Sequence, residues 1–417
     1  MLNKIEYPNP QMIRTKWLDL NGDWAFFMAK NENDYKNHSK EFPDKITVPY
    51  SYTFKKANVD ENDYHPVVWY QKHFDMAINK AHHYLLHFEA VDYQCQIGLN
   101  GHLIGSHIGG HTPFTLDISE WVATSNTLEV RVEDFNATDQ PIGKQAWKDQ
   151  NFLCWYTRTI GIWQNIWLEE TGNLYLGQVR MIPHIHQAQL EIDAKLNVPA
   201  TATLQAAISF QEHSITTATC TTINGRAHFA VDISNDDPNF RLHYWSPDEP
   251  NLYDVTFKVI EDHSVTDTVY SYFGMRQIET RNHSVYLNDQ VLYQKLILNQ
   301  GYYPNAGLTG SVEDYKSDLT KLKAMGFNGN RIHQHVESYR MLYLCDQLGV
   351  LAWTEFPSSF SFSPTMMNHI LAELPDFISK HINHPSVIAY VLMKNHGALT
   401  KLPITAKNKH LRMAYIT

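Results

Sequence analysis

The pattern of apolar residues changes near residue 285, and this change limits the possible folds more than any other feature of the sequence. Before it, apolar and polar residues alternate in short segments, as at Leu190, Ile192 and Ala194. Alternation with period two is typical of β-strands with one buried face. After it, short apolar runs alternate with segments of helical period. The sequence therefore predicts an all-β part followed by an α/β part.

The β part is long enough for two domains. In residues 1–171, the pair Asn100-Gly101 between two strands predicts a hairpin, because both central positions of a type I′ turn need positive φ. Residues 172–280 continue with sparser alternation, for example at Tyr253, Val255 and Phe257, over a length that suits a small β-sandwich. We therefore predict domains at 1–171 and 172–280, with a third domain at 281–417.

The third domain repeats a cycle of strand and helix. Strands are expected at 291–298, 330–333, 350–355 and 387–392, and helices at 311–326, 336–348 and within 366–382. Ser311 and Asp314 have the spacing of a capping box, and Gly326 and Gly349 follow the first two helices. Strands that alternate with helices predict a parallel sheet with right-handed crossovers. A closed barrel would need eight such units, and this sequence has half of them.

Composition and charge exclude several classes of partner. The 417 residues are 43% hydrophobic and 19% charged, which indicates folded globular domains and not a disordered chain. The formal net charge is -10, and no run of five or more Lys and Arg occurs. We therefore expect no nucleic acid and no anionic membrane surface as partners.

The cysteines and histidines predict neither a disulfide framework nor a metal site. Cys95, Cys154, Cys220 and Cys345 are far apart, and the first residues lack the apolar segment of a signal peptide. These features favour a reducing, cytoplasmic location. The 23 histidines include His107 and His111, but the Gly109-Gly110 turn between them removes helical ligand spacing. We expect no metal and no cofactor.

Six motifs follow one another between residues 15 and 392. They are Leu20-Asn21-Gly22-Asp23-Trp24, Val68-Trp69-Tyr70, Ala90-Val91-Asp92-Tyr93, Tyr156-Thr157-Arg158-Thr159-Ile160-Gly161-Ile162-Trp163-Gln164, Trp245-Ser246-Pro247 and Asn383-His384-Pro385-Ser386. As an ordered set they resemble family 2 of the glycoside hydrolases, the β-galactosidase and β-glucuronidase group. The resemblance implies a multidomain β plus α/β protein. Its parts would be a jelly-roll sugar-binding-like domain, an immunoglobulin-like β-sandwich and an incomplete (β/α)8 TIM barrel.

The resemblance also implies the chemistry. A retaining glycosidase uses two carboxylates about 5 Å apart, one as acid/base and one as nucleophile. In this family the acid/base is the Glu of an Asn-Glu pair after the fourth strand, and the nucleophile follows the seventh. Alignment on the Asn383 motif places Asn395 or His396 at the acid/base position, and the seventh strand lies beyond Thr417. We therefore expect no catalytic residue in this chain.

A shifted reading frame would explain residues 393–417. Read out of frame, the codons of Met393-Lys394 force Glu and permit Asn before it, and later codons permit Ser-Trp-Gly-Val, as in the family. We expect residues 393–417 to be an aberrant tail and the chain to be an inactive, frameshift-truncated glycosidase fragment. Two alternatives remain open: a carbohydrate-binding module, and one half of a split two-chain glycosidase.

The resemblance supplies substrate-binding candidates for a β-glycoside. They are Arg331, His333, Asn299, Trp353, Glu355, Trp155, Tyr156 and Arg158. Arg331 and His333 end the second barrel strand, although Arg331 could instead simply pair with Glu355. Asn299 stands where the family usually has Asp, so its role in binding is open. Trp353 could be a sugar platform or a core residue, and Trp155 and Tyr156 could likewise face the site or belong to a sandwich core.

The half barrel also predicts self-association. Four parallel strands leave two sheet edges that a closed barrel would lack. Because barrel strands are buried on both faces, the last strand at 387–392 is apolar on both sides. We expect a homodimer, or another association through the exposed half barrel. Residues 393–417 could also fold over the exposed sheet, but we expect them to cover it less well than a second copy.

Overall fold

The computed structural model describes residues 3–30, 33–34, 41–59, 61, 63–148, 150–234, 242–392 and 414–415. Most of its regular structure is β-sheet, and three α-helices lie between residues 312 and 381. Among the described residues, none of these helices combines the length and apolar character needed to span a bilayer.

The first part of the chain is a β-sandwich. Its strands are β1 (Trp17–Asp19), β2 (Gly22–Met28), β3 (Asp44–Val48), β4 (Val67–Asp75), β5 (His83–Phe88), β6 (Val91–Asp92), β7 (Gln94–Leu99), β8 (His102–Ile108), β9 (Phe114–Asp117), β10 (Ser125–Glu133), β11 (Gly161–Ile162) and β12 (Ile166–Thr171). A six-stranded sheet, β3-β2-β4-β10-β7-β8, faces the four-stranded sheet β1-β12-β5-β9. Trp24 and Tyr70 from one sheet and Phe88 from the other share a buried core. The hairpin predicted at Asn100-Gly101 joins β7 to β8, with φ of 52° and 84°.

A second sandwich follows. Its strands are β13 (Leu176–His184), β14 (Gln189–Leu196), β15 (Thr203–Phe210), β16 (His213–Thr221), β17 (Arg226–Asp232), β18 (Tyr253–Glu261) and β19 (Ser264–Phe273). They form the sheets β13-β14-β17 and β16-β15-β18-β19 around one apolar core. A small sheet of β20 (Ile278–Arg281), β21 (Ser284–Leu287) and β22 (Gln290–Val291) leads into the last part.

The last part alternates strands and helices. Its elements are β23 (Leu296–Asn299), α1 (Val312–Ala324), β24 (Gly329–Ile332), α2 (Tyr339–Leu348), β25 (Leu351–Glu355), α3 (Pro364–His381), β26 (Val387–Val391) and β27 (Ala414–Tyr415). Strands β23, β24, β25 and β26 are parallel neighbours in chain order. Strand β27 pairs antiparallel with β26, so a short piece of the chain's end covers part of this edge.

The helix ends agree with the sequence signals at α1. One helix and one strand differ from their expected bounds. Ser311 and Asp314 form the predicted capping box at α1. Helix α2 begins at Tyr339 and not at 336, because the Ser338 side chain accepts from the backbone N–H of Met341 and caps the helix there. The strand expected over 291–298 is interrupted, and regular pairing resumes only at Leu296.

The two faces of the parallel sheet differ. On the outer face, Ile332, Ala352 and Val387 pack with helix residues such as Met366 and Phe377. On the opposite side, strand register aligns Leu298, Arg331 and Trp353 in one row. We call this side, with Glu355 two residues beyond Trp353, the inner face. On this face Leu298 is 51% exposed.

Candidate functional site

Arg331, His333 and Glu355 meet at the carboxyl ends of β24 and β25. The Glu355 carboxylate accepts from Arg331 Nε with one oxygen, and its Oε2 lies 2.7 Å from His333 Nδ1. Glu355 and His333 are buried, whereas 31% of the Arg331 side chain is exposed. The alternative in which Arg331 pairs with Glu355 therefore describes the observed contact. The pair still leaves part of the guanidinium accessible from the inner face.

These contacts determine the charge of Glu355. Burial alone raises the pKa of this carboxyl, but hydrogen bonds and charge from His333 and Arg331 outweigh burial and hold the pKa below its usual value. Glu355 is therefore ionised at neutral pH and is a poor proton donor. The carboxylate instead fixes the orientation of the two basic side chains that flank it.

Asn299 belongs to a second, buried network beside this group. Its Nδ2 donates to Glu337 Oε1 at 3.3 Å, and the same oxygen lies 2.8 Å from His335 Nε2. An aspartate at position 299 would place a second carboxylate next to Glu337. The amide replaces that repulsion with a hydrogen bond, which gives a physical reason for the departure from the family pattern.

Trp353 forms part of the wall. Its Nε1 donates to Gln294 Oε1 at 2.6 Å, and its ring packs with an apolar cluster that includes Leu351 and Ile388. The indole N–H is already hydrogen-bonded and the ring is partly buried. Trp353 therefore forms the floor of the inner face, and little of its ring is left for a sugar to stack on.

A segment of the first sandwich lies over the strand ends. We call the described residues 138–148 and 150–160 the cap segment. The backbone carbonyl of Thr138 accepts from Phe360 N at 2.7 Å, and Gly143 N donates to Ser358 O at 3.1 Å. Both partners belong to the loop after β25. The cap segment therefore closes one side of the candidate site, although it is distant in sequence.

The structure brings Trp155 and Tyr156 to this site. The Trp155 ring lies 5.4 Å from Phe360, and the Tyr156 ring lies 4.7 Å from Tyr302 in the loop after β23. Trp155 also belongs to an aromatic cluster that we had not predicted. The cluster consists of Trp147, Phe152, Trp155 and Phe360. The sequence signal was the density of aromatic residues between 147 and 156.

Arg158 is not brought to the strand ends. It is 8% exposed, its guanidinium lies 4.5 Å from the Tyr64 ring centre, and it donates to Lys148 O at 3.2 Å. These contacts tie the base of the cap segment to the first sandwich. Arg158 therefore lies where the cap segment contacts the first sandwich, two residues after Tyr156.

The motif Asn383-His384-Pro385-Ser386 joins the second sandwich to the parallel sheet. His384 Nδ1 lies 2.6 Å from Asp346 Oδ2, and the Tyr272 hydroxyl donates to the same oxygen at 2.7 Å. Trp245 of another motif donates to the Asp346 carbonyl at 2.7 Å. These motif residues are buried and hold the domains together, so their contribution to the site is indirect.

The positions expected for the acid/base, Asn395 and His396, lie outside the described residues, as does most of the tail 393–417. Within the described part of the chain, no group of three or more His, Cys, Asp or Glu side chains could hold a metal ion.

Two family profiles match the sequence. The profile described as "Glycosyl hydrolases family 2, sugar binding domain" matches residues 7–172, and "Glycosyl hydrolases family 2" matches residues 167–276. A beta-galactosidase of Thermoanaerobacter pseudethanolicus is 25% identical over 396 residues, which cover 91% of this chain and 52% of that enzyme. A beta-galactosidase large subunit of Leuconostoc lactis is 26% identical over 295 residues, covering 69% and 44%.

Solved structures share the fold. A Parabacteroides merdae beta-glucuronidase superposes with a TM-score of 0.75 at 18% identity, over 90% of this chain and 51% of that one. A family 2 beta-galacturonidase of Eisenbergiella tayi, bound to galacturonate, gives 0.73 at 20% identity, over 91% and 65%. The chain spans about half the length of the curated relatives it matches. It belongs to family 2 of the glycosyl hydrolases, the group that includes β-galactosidases and β-glucuronidases.

Proposed function

We propose that this chain carries the sugar-facing part of a retaining β-glycosidase site of the β-galactosidase or β-glucuronidase type. The observation that carries the proposal is the convergence of Arg331, His333 and Glu355 at the carboxyl ends of adjacent parallel strands, beneath the cap segment. The carboxyl end of such strands is where enzymes with this architecture place their chemistry. A fixed guanidinium and imidazole supply donors for sugar hydroxyls, and Trp155 and Tyr156 supply aromatic surface.

We further propose that β23 to β26 and their helices are the first half of a (β/α)8 barrel. The first sandwich, 1–171, would be the jelly roll, and 172–280 the immunoglobulin-like sandwich. The parallel order of β23 to β26 and the likeness to complete β-glucuronidases support this division. Four free cysteines, one of them exposed, suit the cytoplasmic location that we propose.

We propose that the chain alone does not hydrolyse glycosides. Among the described residues at the ends of β24 and β25 and in the loop after β24, Glu337 lies against His335, and Glu355 lies against His333 and Arg331. Neither carboxylate is free to attack an anomeric carbon, and the ionised Glu355 cannot act as a general acid.

A binding titration tests the proposed site without requiring turnover. The full chain is titrated calorimetrically with methyl β-D-galactoside and, separately, with methyl β-D-glucuronide. Arg331→Ala should weaken the tighter of the two about tenfold or more, since a hydrogen bond to a charged group contributes about 1.5–3 kcal/mol. Arg226→Ala, which removes an exposed arginine from the second sandwich, is the matched control. Equal binding by both variants, or no binding by the unaltered chain, would contradict the proposal.

The split-enzyme alternative has its own supporting observation. The inner face exposes Leu298, and a complementary half barrel would cover this face. Self-association of two copies would cover the same surface. Co-purification with the product of the neighbouring downstream reading frame would favour the split enzyme, and a homodimer in light scattering would favour self-association. If only the sugar titration succeeds and residues 1–280 alone account for it, the chain is a carbohydrate-binding module.

A further inference from the structure

Two buried carboxylates meet at the contact between the first sandwich and α3. Asp92 lies on β6 and is 0% exposed, and Glu373 lies on α3 and is 2% exposed. Both pack against one turn: a Cβ on Gly110 would lie 2.4 Å from Asp92 Oδ1, and a Cβ on Gly109 would lie 3.0 Å from Glu373 Cδ. Two consecutive glycines therefore allow carboxylates from different parts of the fold to approach the same backbone.

Each carboxylate uses one oxygen and leaves the other without a partner. Asp92 Oδ2 accepts from Gln145 Nε2 at 2.6 Å, and Glu373 Oε1 accepts from the Tyr93 hydroxyl at 2.9 Å. Asp92 Oδ1 and Glu373 Oε2 are buried and have no hydrogen-bond partner in the described part of the protein. A buried ionised carboxylate is costly unless a cation or several donors compensate it. This geometry therefore favours the protonated acids.

Among the residues that the structure describes, the surrounding groups do not supply a compensating cation. The titratable neighbours are Tyr93, His111 and Asp134 on the first sandwich, Tyr302 in the loop after β23, and His369 and Asp376 on α3. Lys380, two turns along α3, donates to Glu89 at 3.2 Å and is committed to that pair. Burial is the largest cause that raises the pKa of Glu373, to about 8, and it also raises the pKa of Asp92 well above its usual value.

We propose that Asp92 and Glu373 form a proton-operated latch that fastens α3 to the first sandwich. The latch holds while the acids are protonated, and it weakens when they ionise and repel each other within a buried contact. Undocked Glu373 has an ordinary pKa of 4.5, and docking raises it. Docking therefore takes up a proton, so its stability is greatest below pH 4.5 and declines as the pH rises toward 8.

The latch has a structural connection to the candidate site. Gln145, which holds Asp92, belongs to the cap segment, and its Oε1 accepts from Thr159 N at 2.6 Å. Helix α3 leads directly to β26. Release of the latch would therefore loosen the contact that keeps the cap segment over the strand ends.

Hydrogen exchange of the full chain tests the latch. Exchange of peptides from α3 is measured between pH 5 and 8 and corrected for the intrinsic rate. The opening equilibrium of the unaltered chain should rise about tenfold per pH unit more steeply than that of Glu373→Gln, which stays neutral. Glu120→Gln, a change at an exposed position of the first sandwich, is the control and should keep the slope of the unaltered chain.

Tyr93→Phe separates titration from packing. The Tyr93 hydroxyl donates to Glu373 and favours its ionised form. In exchange measurements extended to pH 10, Tyr93→Phe should therefore let the rise in opening continue to a higher pH before it levels off. Equal slopes for the unaltered chain and Glu373→Gln, or a rise that levels off at the same pH in Tyr93→Phe and the unaltered chain, would overturn the proposal. A Glu373→Gln chain that fails to fold would also overturn it, because the amide matches the shape of a protonated acid.

Discussion

The two faces of the parallel sheet belong to the same four strands but are stabilised by different interactions. On the outer face, the Phe377 ring lies 5.4 Å from Phe356 and 5.9 Å from Tyr390, and it is fully buried. On the inner face, Arg331 keeps 31% of its side chain exposed while its Nε contacts Glu355. The outer face is filled by apolar packing, and the inner face is ordered by charge and hydrogen bonds.

The difference indicates which side chains stabilise the fold and which are available for function. Close apolar packing leaves no room for a ligand and loses stability with every atom removed. A fixed charged group at a partly open edge adds less to stability and can exchange water for sugar hydroxyls. The following predictions test this contrast, and they are ordered from the largest expected effect to the smallest.

Phe377→Ala should be the most destabilising of these changes. Removal of a fully buried phenylalanine ring costs about 3–5 kcal/mol in the free energy of unfolding, measured by urea denaturation. Leu371→Ala on the same helix, where the leucine is 63% exposed, is the control and should cost about 0.5 kcal/mol or less. Similar losses for both variants would mean that α3 does not pack on the sheet as described.

Glu355→Gln should reduce the free energy of unfolding by about 1–3 kcal/mol at pH 7, because Arg331 and His333 lose their shared anion. The folded pKa of Glu355 lies below its ordinary value of 4.5. Its stabilising contribution is therefore present above that pH and is lost as the pH falls through the folded pKa. Urea denaturation should show the same difference between the two proteins at pH 7 and pH 5, and a smaller difference at pH 4 and pH 3. A constant difference would show that the charge of Glu355 contributes nothing.

Trp353→Phe keeps an aromatic ring on the inner face and removes the hydrogen bond to Gln294. The expected loss is about 1 kcal/mol in the free energy of unfolding, the typical net value of a neutral hydrogen bond. Double-mutant analysis with Gln294→Leu should recover most of this value as coupling between the two side chains. If the two changes have independent effects on the free energy of unfolding, Trp353 and Gln294 are not coupled, and the described position of Trp353 is wrong.

Leu298→Ser should have the smallest effect on stability and a distinct effect on association. Because the Leu298 side chain is 51% exposed, the change should alter the free energy of unfolding by about 0.5 kcal/mol or less. If the inner face is the surface that self-associates, light scattering should show a weaker dimer for the variant. A chain that is monomeric before the change would rule out this interface.

The sequence predicts local structure well where a few neighbouring residues decide it. The capping box at Ser311 and Asp314 and the turn at Asn100-Gly101 both form as expected. Alternating apolar residues also predict which strand residues are buried in the second sandwich. These features depend on backbone conformation and period, which short segments specify.

The candidate site was only partly predictable because its contacts join distant segments. Arg331 and Glu355 could be placed at strand ends from the strand and helix cycle. The position of the cap segment over them depends on how the first sandwich docks, which no local pattern encodes. The burial of Glu373 depends on the same docking, since its helix period alone does not show that β6 and its neighbours cover it.

The most direct test of the central claim is turnover by the purified full chain. The account predicts that p-nitrophenyl β-D-galactoside and p-nitrophenyl β-D-glucuronide are hydrolysed no faster than without protein, because the described carboxylates at the strand ends are committed to His335, His333 and Arg331. Release of p-nitrophenol that copurifies with the chain and is abolished by Glu355→Gln would contradict it. That result would mean that Glu355 takes part in the chemistry and does not only position the residues beside it.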